Sequence, residues 1–598
     1  MSIVMGFMSG SQGYAQTVVQ GDITTDTTWS SDVLLKGPVF VRKPAMLTIQ
    51  AGVEVKGEKA TLGALVIDQG AKLIAIGTEN NPVVLTSDQP AEQKKRGDWG
   101  GLILNGYSPL NLGTVGFGEG DTGYYGCDEG LGIPCNEQDN SGTLQYVRVE
   151  YSGIQFSPDN EMNGIAFQGT GSGTTVDHVQ VHYSKDDGIE MFGGFTNIKY
   201  AIISGCADDS FDWTHGYRGN VQFVVVQHQC DTGECDKGME ADNLDKNYDA
   251  LPRSKPTMYN FTLIGDPING SQTVSTNGML LRRGTAATIR NFIVQGFNRS
   301  GIDIDNTPTI LNAQNGELTV SNSIWWMNDN NNMNFYDDAD DVDINNYPFT
   351  TNQFMTGMMQ NNVVVNPLLP NPYDWTDPDF HPATNSPAGN GQVPVAAPPQ
   401  GNTFIVATNY MGAIDPNGDD WTRKPWTTFG VRQETTTTTT VSGTTTTVSG
   451  TTTTTTVSGT TTTSAPTSTT TTTVKKICAA SQVLGEDNPQ LDILRYFRDT
   501  VMARSLKGKI YTRLYYQYSD QVSEIFEADP SLKAQAAALL ASALPAVERA
   551  LECKTVMLTK TQKEQALAVL NKIGKNSSFG LRLAIMKLKS DIRRGSVL

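Results

Sequence analysis

The sequence predicts a parallel β-solenoid, followed by a low-complexity spacer and a small all-α domain. Three observations predict it: a short repeat recurring every 22 to 40 residues along much of the first half, an almost pure threonine tract over 435–473, and a switch to helical apolar spacing after that tract. At 598 residues the chain is too long for a single ordinary core, so several domains or one elongated repeat domain with additions is expected.

Each repeat opens on a short polar residue, glycine or serine, and an apolar residue. The copies are NGIAFQG from Asn163, DGIEMFG from Asp187, DSFDWTHG from Asp209, KGMEADN from Lys237, NGMLLRRG from Asn277 and SGIDIDN from Ser300, in steps of 24, 22, 28, 40 and 23 residues. About ten residues ahead of each lies a second strand-like segment: LQYVRVEYSG, VDHVQVHYSK, IKYAIISGCA, VQFVVVQHQC, MYNFTLIGDP and IRNFIVQGFN. Every unit thus offers two β-patterned segments and room for a third. Strands this short cannot bury a face alone, and a solenoid closes its core by stacking each coil on the next. The long steps are expected to push loops outward, where they wall a groove.

The N-terminal part follows the same plan with another consensus: MLTIQAGVEVKG, ALVIDQGAKLIAIGTENNPVVLTS and WGGLILNG alternate apolar residues and carry Gly and Asn at turns. Residues 108–141, rich in glycine, read as a long loop. From about 367 the repeat gives way to Pro-rich chain ending in NYMGAIDPNGDDWTRKPWTTFG, read as a terminal cap, so the solenoid is expected to span 16–430. Residues 431–474 form a Thr-rich linker that cannot build a core, either an O-glycosylated stalk or a bare disordered spacer. Over 475–598, LDILRYFRDTVMARSL, IYTRLYYQYSDQVSEIF, SLKAQAAALLASALPAVERAL and TKTQKEQALAVLNKI have helical spacing, with breaks at Asp529-Pro530 and Gly574.

Charge is unevenly placed. After residue 474 there are 20 basic and 12 acidic residues, against 24 and 50 before it. So acidic a body excludes nucleic acid and anionic lipid as partners and favours divalent cations or neutral and cationic ligands. No 18 apolar residues run together, so no membrane span is encoded. Cys127 with Cys135 and Cys230 with Cys235 bracket short loops, as disulfides of an exported protein do, and Cys206 in an apolar strand is expected to be the buried free thiol. The opening MSIVMGFMSGSQGYAQ reads as a signal-peptide remnant, residues 1–15, cleaved after Ala15.

Alternation within the strand after each turn decides which side chains leave the core. Ile189, Met191, Phe211, Trp213, Met239 and Ala241 point in. Glu190, Asp212, Glu240, Leu280 and Asp303 then form an outward ladder, with Thr214, Asp242, Arg282 and Asp305 beside it and Asp187, Asp209 and Lys237 along the other edge. Carboxylates about 5 Å apart on a rigid ladder must hold protons or share a cation. Calcium suits them, with Asp187, Asp209, Asp212, Glu240 and Asp242 as candidate ligands. The rival use is catalysis by Asp212, Glu240 and Glu190, at spacings that suit glycoside hydrolysis, with His215 as acid or base and Arg282 beside an abstracted proton in a lyase. The plainer reading of Asp186, Asp187, Asp208 and Asp209 is turn chemistry, and of His215 a surface histidine with one hydrogen bond. His178, His182 and His228 lie on different registers and predict no shared metal site. Trp325 and Trp326 must face opposite ways, one of them offering a ring for a sugar to stack on. The acidic tract over 328–346 is a weaker calcium candidate.

LTIQAGVEVKG, GDWGGLILNG, NGIAFQGTGSGTTVDHVQVHYSKDDGIEMFGG, CADDSFDWTHGYRGN and YMGAIDPNGDDW together resemble exported bacterial right-handed parallel β-helix proteins of the pectate-lyase-like superfamily, over 22 to about 430. The resemblance implies that fold and no particular activity. ICAASQVLG followed by LRYFRDTVMARSLKGKIYTRLYYQYS resembles the CFI-box C-terminal domain of exported bacterial proteins, which implies an envelope or surface role. The expectation is an exported, extracellular or cell-surface, calcium-stabilised β-helix binding a polysaccharide or surface glycan. A lyase or glycoside hydrolase using the acidic ladder, and a purely structural surface stalk, are the alternatives.

Overall fold

The computed structural model describes residues 16–430 apart from 158–159, 232, 330–333 and 336–349, and helical segments between 483 and 592. The expected signal remnant, the Thr-rich linker, Cys478 of the CFI-box resemblance and most of the acidic tract lie outside the described residues. The chain divides into two units, one ending at Thr437 and one beginning at Thr438.

The first unit is a parallel β-helix whose coils carry three strands each. One face is a ten-stranded parallel sheet running in chain order from Asp22–Ile23 to Asp303–Ile304. The other two faces form one continuous hydrogen-bonded set because strands such as Gly142–Glu150, Thr175–His182, Asn197–Ser204, Asn220–Gln227 and Thr257–Ile264 each turn a corner midway. The corner residue is left-handed: Tyr146 (φ 50°), His178 (53°), Tyr200 (54°), Phe223 (63°) and Asn260 (58°). Segments that read as one strand in the sequence are therefore two, which supplies the third side of each coil.

Left-handed backbone is unfavourable for aromatic residues, and stacking compensates here. Ring centroids are 4.5 Å apart for Tyr146 and His178, 4.5 Å for His178 and Tyr200, and 4.9 Å for Tyr200 and Phe223. Inside the coils one apolar core runs from Ile23 through Leu73, Val149, Phe211 and Phe261 to Trp325. Ile189, Met191, Phe211, Trp213, Met239 and Ala241 all lie in it, as alternation predicts.

The segment expected to cap the end instead returns along the aromatic and asparagine corner. Pro394 O accepts from Asn322 Nδ2, Ala396 O from Asn291 Nδ2, Tyr410 O from Asn260 Nδ2, Thr428 O from Gln180 Nε2 and Trp426 O from Arg148 Nη1, at 2.6–3.1 Å. Trp421 and Trp426 meet the stacked rings edge-on. The correction has a simple cause: corner side chains with spare amide groups offer a polar track that a Pro-rich chain without strands of its own can satisfy.

Disulfides join Cys127 to Cys135 and Cys230 to Cys235, and Cys206 is free and buried, as expected. The second unit has helices over Gln490–Thr500, Leu506–Ala528, Pro530–Leu551 and Lys560–Lys575. Asp529 both ends one helix and starts the next, its side chain accepting from Leu532 N at 2.9 Å with proline at the first helical position. Thr559 and Gln562 form a reciprocal capping pair. The last of these helices ends at Lys575, one residue past Gly574, where the sequence places a break. Ile525, Phe526, Leu532, Val569 and Ile573 make this unit's core. No helix among the described residues is long and apolar enough to cross a membrane.

Candidate functional site

The outward ladder forms in the expected register. Glu190 pairs with Asp212, Asp212 with Glu240, Glu240 with Leu280, and Leu280 with Asp303, on successive coils of the ten-stranded sheet. The ladder leaves the core but is not open to solvent: Glu190 is 8 %, Glu240 9 % and Asp303 3 % exposed. Loops cover it. The loop over 107–141 leaves the coil of Leu102–Asn105 and reaches along the sheet, where Asn111 N donates to His215 O and Asn111 Nδ2 to Asn243 Oδ1. Its Leu110 and Tyr125 pack on Ile103, Ala166 and Phe192, apolar residues on the outer side of the same sheet.

The ladder divides electrostatically in two. At Glu240 and Asp242 the carboxylates are matched by cations. Lys237 Nζ is 3.0 Å from Glu240 Oε1 and also contacts Asp236; Arg282 Nε is 2.9 Å from Asp242 Oδ1 and its Nη2 contacts Glu240; Arg283 Nη1 is 2.6 Å from Asp242 Oδ2. Burial alone would lower the pKa of Lys237 and Arg282, but the surrounding carboxylates raise both. Glu240 and Asp242, expected among the calcium ligands, are thus engaged by this chain's own cations, and Arg282 is held in ion pairs instead of standing ready beside a substrate. The arginine contacts join residues 40 to 42 positions apart, brought together by the stacking of coils that sets Arg282 beside Asp242.

Two coils away there is no such match. One oxygen each of Asp187, Glu190 and Asp212 lie within 4.8 Å of one another. Asn163 Nδ2 donates to Glu190 Oε2 at 2.5 Å, and among the described residues no Lys or Arg side chain forms an ion pair with the three carboxylates. Burial first, then neighbouring carboxylates, pushes the pKa of Asp187, Glu190 and Asp212 well up. Asp186, Glu190 and Asp212 act on Asp187, Asp212 and Glu119 of the covering loop on Glu190, and Glu240 and Asp242 on Asp212, where Arg282 offsets part of the rise. Asp186 next door is pushed up to about 9, by burial and by Asp208. Asp212 Oδ1 and Asn163 Oδ1 are buried without hydrogen-bond partners. An all-oxygen set with orphaned acceptors fits a hard divalent cation, and calcium accepts irregular sets of this kind.

Asp187 and Asp209 also do turn work. Asp187 Oδ1 accepts from Asp209 N at 3.0 Å and Asp209 Oδ1 from Lys237 N at 2.8 Å, so each carboxylate caps the corner of the next coil. Asp209 stands 3.7 Å from Lys237 Nζ, which offsets part of the rise that burial and Glu240 impose on its pKa. His215 sits at a left-handed corner (φ 54°), its Nδ1 2.9 Å from Tyr125 Oη, and burial lowers its pKa to about 4. It ties the covering loop to the sheet. His178 is in the stacked corner, while His182 and His228 each meet a serine hydroxyl at 2.8 and 2.9 Å, so the histidines share no site. His228 also lies near Cys230 and Cys235, whose sulfurs are joined to each other. Trp325 is buried and Trp326 half-buried.

Sequence reasoning missed Asn163, Glu119 and Tyr125. Asn163 had a signal, since it opens the same repeat as Asp187 and Asp209. Glu119 and Tyr125 lie in a loop without periodicity, and nothing local places them beside the ladder.

A family model for the pectate-lyase-like β-helix domain matches residues 21–365, more than half of the chain. The chain belongs to this family. Its match covers the coils from Asp22 to Val364 and stops where the returning segment begins. No curated protein matches the chain, and no solved structure does.

Proposed function

We propose that this pectate-lyase-like β-helix is an exported, cell-surface protein that binds glycans, with one calcium ion bracing the covering loop against the ten-stranded sheet. The observation that carries the reading is the cluster of Asp187, Glu190 and Asp212: three carboxylates within 4.8 Å, buried, without a paired cation and with an orphaned oxygen. With Asp187 and Glu190 buried and Asp212 half-buried, these carboxylates are poorly placed to reach a polymer chain. They are well placed to hold an ion whose charge offsets their repulsion and fixes the loop. Family membership and the acidic body favour an extended carbohydrate ligand over nucleic acid, and the two disulfides favour a location outside the reducing cytosol. The Thr-rich stretch and helical unit then act as spacer and surface attachment.

The test is a glycan array probed with full-length protein in calcium and in chelator. Calcium-dependent retention on a defined set of glycans, without release of reducing ends or unsaturated products, is expected. No retention in either condition overturns glycan binding, and product release overturns a binding-only role.

A further inference from the structure

The covering loop carries a feature that neither the ladder nor the family match uses. Strands Gly116–Gly118 and Gly123–Tyr125 form an antiparallel hairpin in which Phe117 pairs with Tyr124. Alternation sends the neighbouring Tyr125 inward, 2 % exposed and bonded to His215, so Phe117 and Tyr124 occupy the opposite side. Tyr124 is 55 % exposed, and Phe117 meets it edge-on with ring centroids 5.0 Å apart. The hairpin is fixed from below: Asn105 Nδ2 donates to Thr122 O at 2.7 Å, Gln69 Nε2 to Gly126 O at 2.6 Å, and the Cys127–Cys135 disulfide follows directly. An aromatic ring held this firmly loses little freedom when a ligand settles on it.

We infer that Tyr124, braced by Phe117 on the stapled hairpin, is a stacking platform for a ring of a neutral glycan, an inference that rests on the glycan-binding reading. A sugar ring offers an apolar C–H face to the tyrosine and hydroxyl donors around its rim. The loop over 107–141 contains six acidic residues and no lysine or arginine, so the platform's surroundings are anionic. The same charge repels uronates and sulfated sugars. One exposed ring matches a monosaccharide unit and is far below the roughly 800 Å² per partner of a stable protein interface.

The experiment is calorimetric titration of the full-length protein, in calcium, with cellohexaose, xylohexaose, mannohexaose and hexagalacturonate, repeated with Tyr124→Ala and Tyr124→Phe. At least one neutral oligosaccharide is expected to bind, with affinity falling tenfold or more in Tyr124→Ala and changing less than threefold in Tyr124→Phe, while thermal unfolding of all three proteins coincides. Binding confined to hexagalacturonate, or neutral binding that survives Tyr124→Ala, overturns the platform and leaves the glycan reading standing. Binding of none of the four overturns the platform, and it overturns the glycan reading too if the array is also blank.

Discussion

Replacing Asp212 by asparagine isolates the charge of the carboxylate cluster, because the amide keeps the side chain's shape. Two ionised carboxylates 4.8 Å apart, the limit for Asp187, Glu190 and Asp212, repel by about 3.5 kcal/mol at an effective dielectric of about 20. Proton uptake relieves part of that, so Asp212→Asn is expected to stabilise the cation-free protein by about 1–3 kcal/mol near neutral pH. Calcium reverses the order. An ion at a hundred times its dissociation constant adds about 2.7 kcal/mol to the wild type, and the variant, with one charge fewer, gains much less. For a folded unit of roughly 400 residues that gain raises the melting temperature by about 3 °C. All eight tryptophans lie between Trp29 and Trp426, so tryptophan fluorescence in the full-length protein follows the β-helix unit without a contribution from the helical one. An equal calcium shift in both proteins, or a variant less stable than wild type in chelator, refutes the reasoning.

Two further outcomes follow from the same electrostatics. The pKa values of the cluster and of neighbouring Asp186 are raised on folding, that of Asp186 to about 9 against about 4 in the unfolded chain, so the folded state holds extra protons across that window and loses stability as pH rises through it. Below about pH 6.5 the buried His182, His215 and His228, each lowered to about 4, add stability as pH rises, so in chelator the melting temperature should fall between about pH 7 and pH 9, and saturating calcium should flatten the slope; a rise over that range in chelator contradicts this. Glu240→Gln strips a partner from both Lys237 and Arg282 in a buried network, and urea unfolding should register a loss of about 3 kcal/mol with glycan retention unchanged. A loss below about 0.5 kcal/mol contradicts the pairing described.

The sequence made the coils legible because period and alternation are local. Strand partners Glu190, Asp212 and Glu240 and the inward set around Trp213 follow from spacing; the cysteine pairs flanking short loops suggested staples, and the connectivity itself comes from the fold. The bend inside each long strand was not legible, since an aromatic residue at a left-handed corner looks like any strand aromatic; Tyr146, His178 and Tyr200 tolerate it only because they stack across coils. Nor was the split of the ladder. The register set Arg282 beside Asp242, but that Arg282 and Arg283 both turn onto Asp242 is a matter of side-chain direction, and the covering loop brings Glu119 to Glu190 across 71 positions. The latter depends on how a loop of unpredictable path is laid over a predictable sheet. The returning segment over 394–428 escaped for the same reason: its partners are corner amides, which carry no signature until the coils are stacked.

The most direct test of the calcium-braced cluster is equilibrium dialysis of the full-length protein against calcium, wild type beside the Glu190→Gln, Asp212→Asn double variant. The account predicts that the wild type binds one calcium more than the variant. Equal stoichiometry in the two proteins, or no calcium in the wild type, contradicts it.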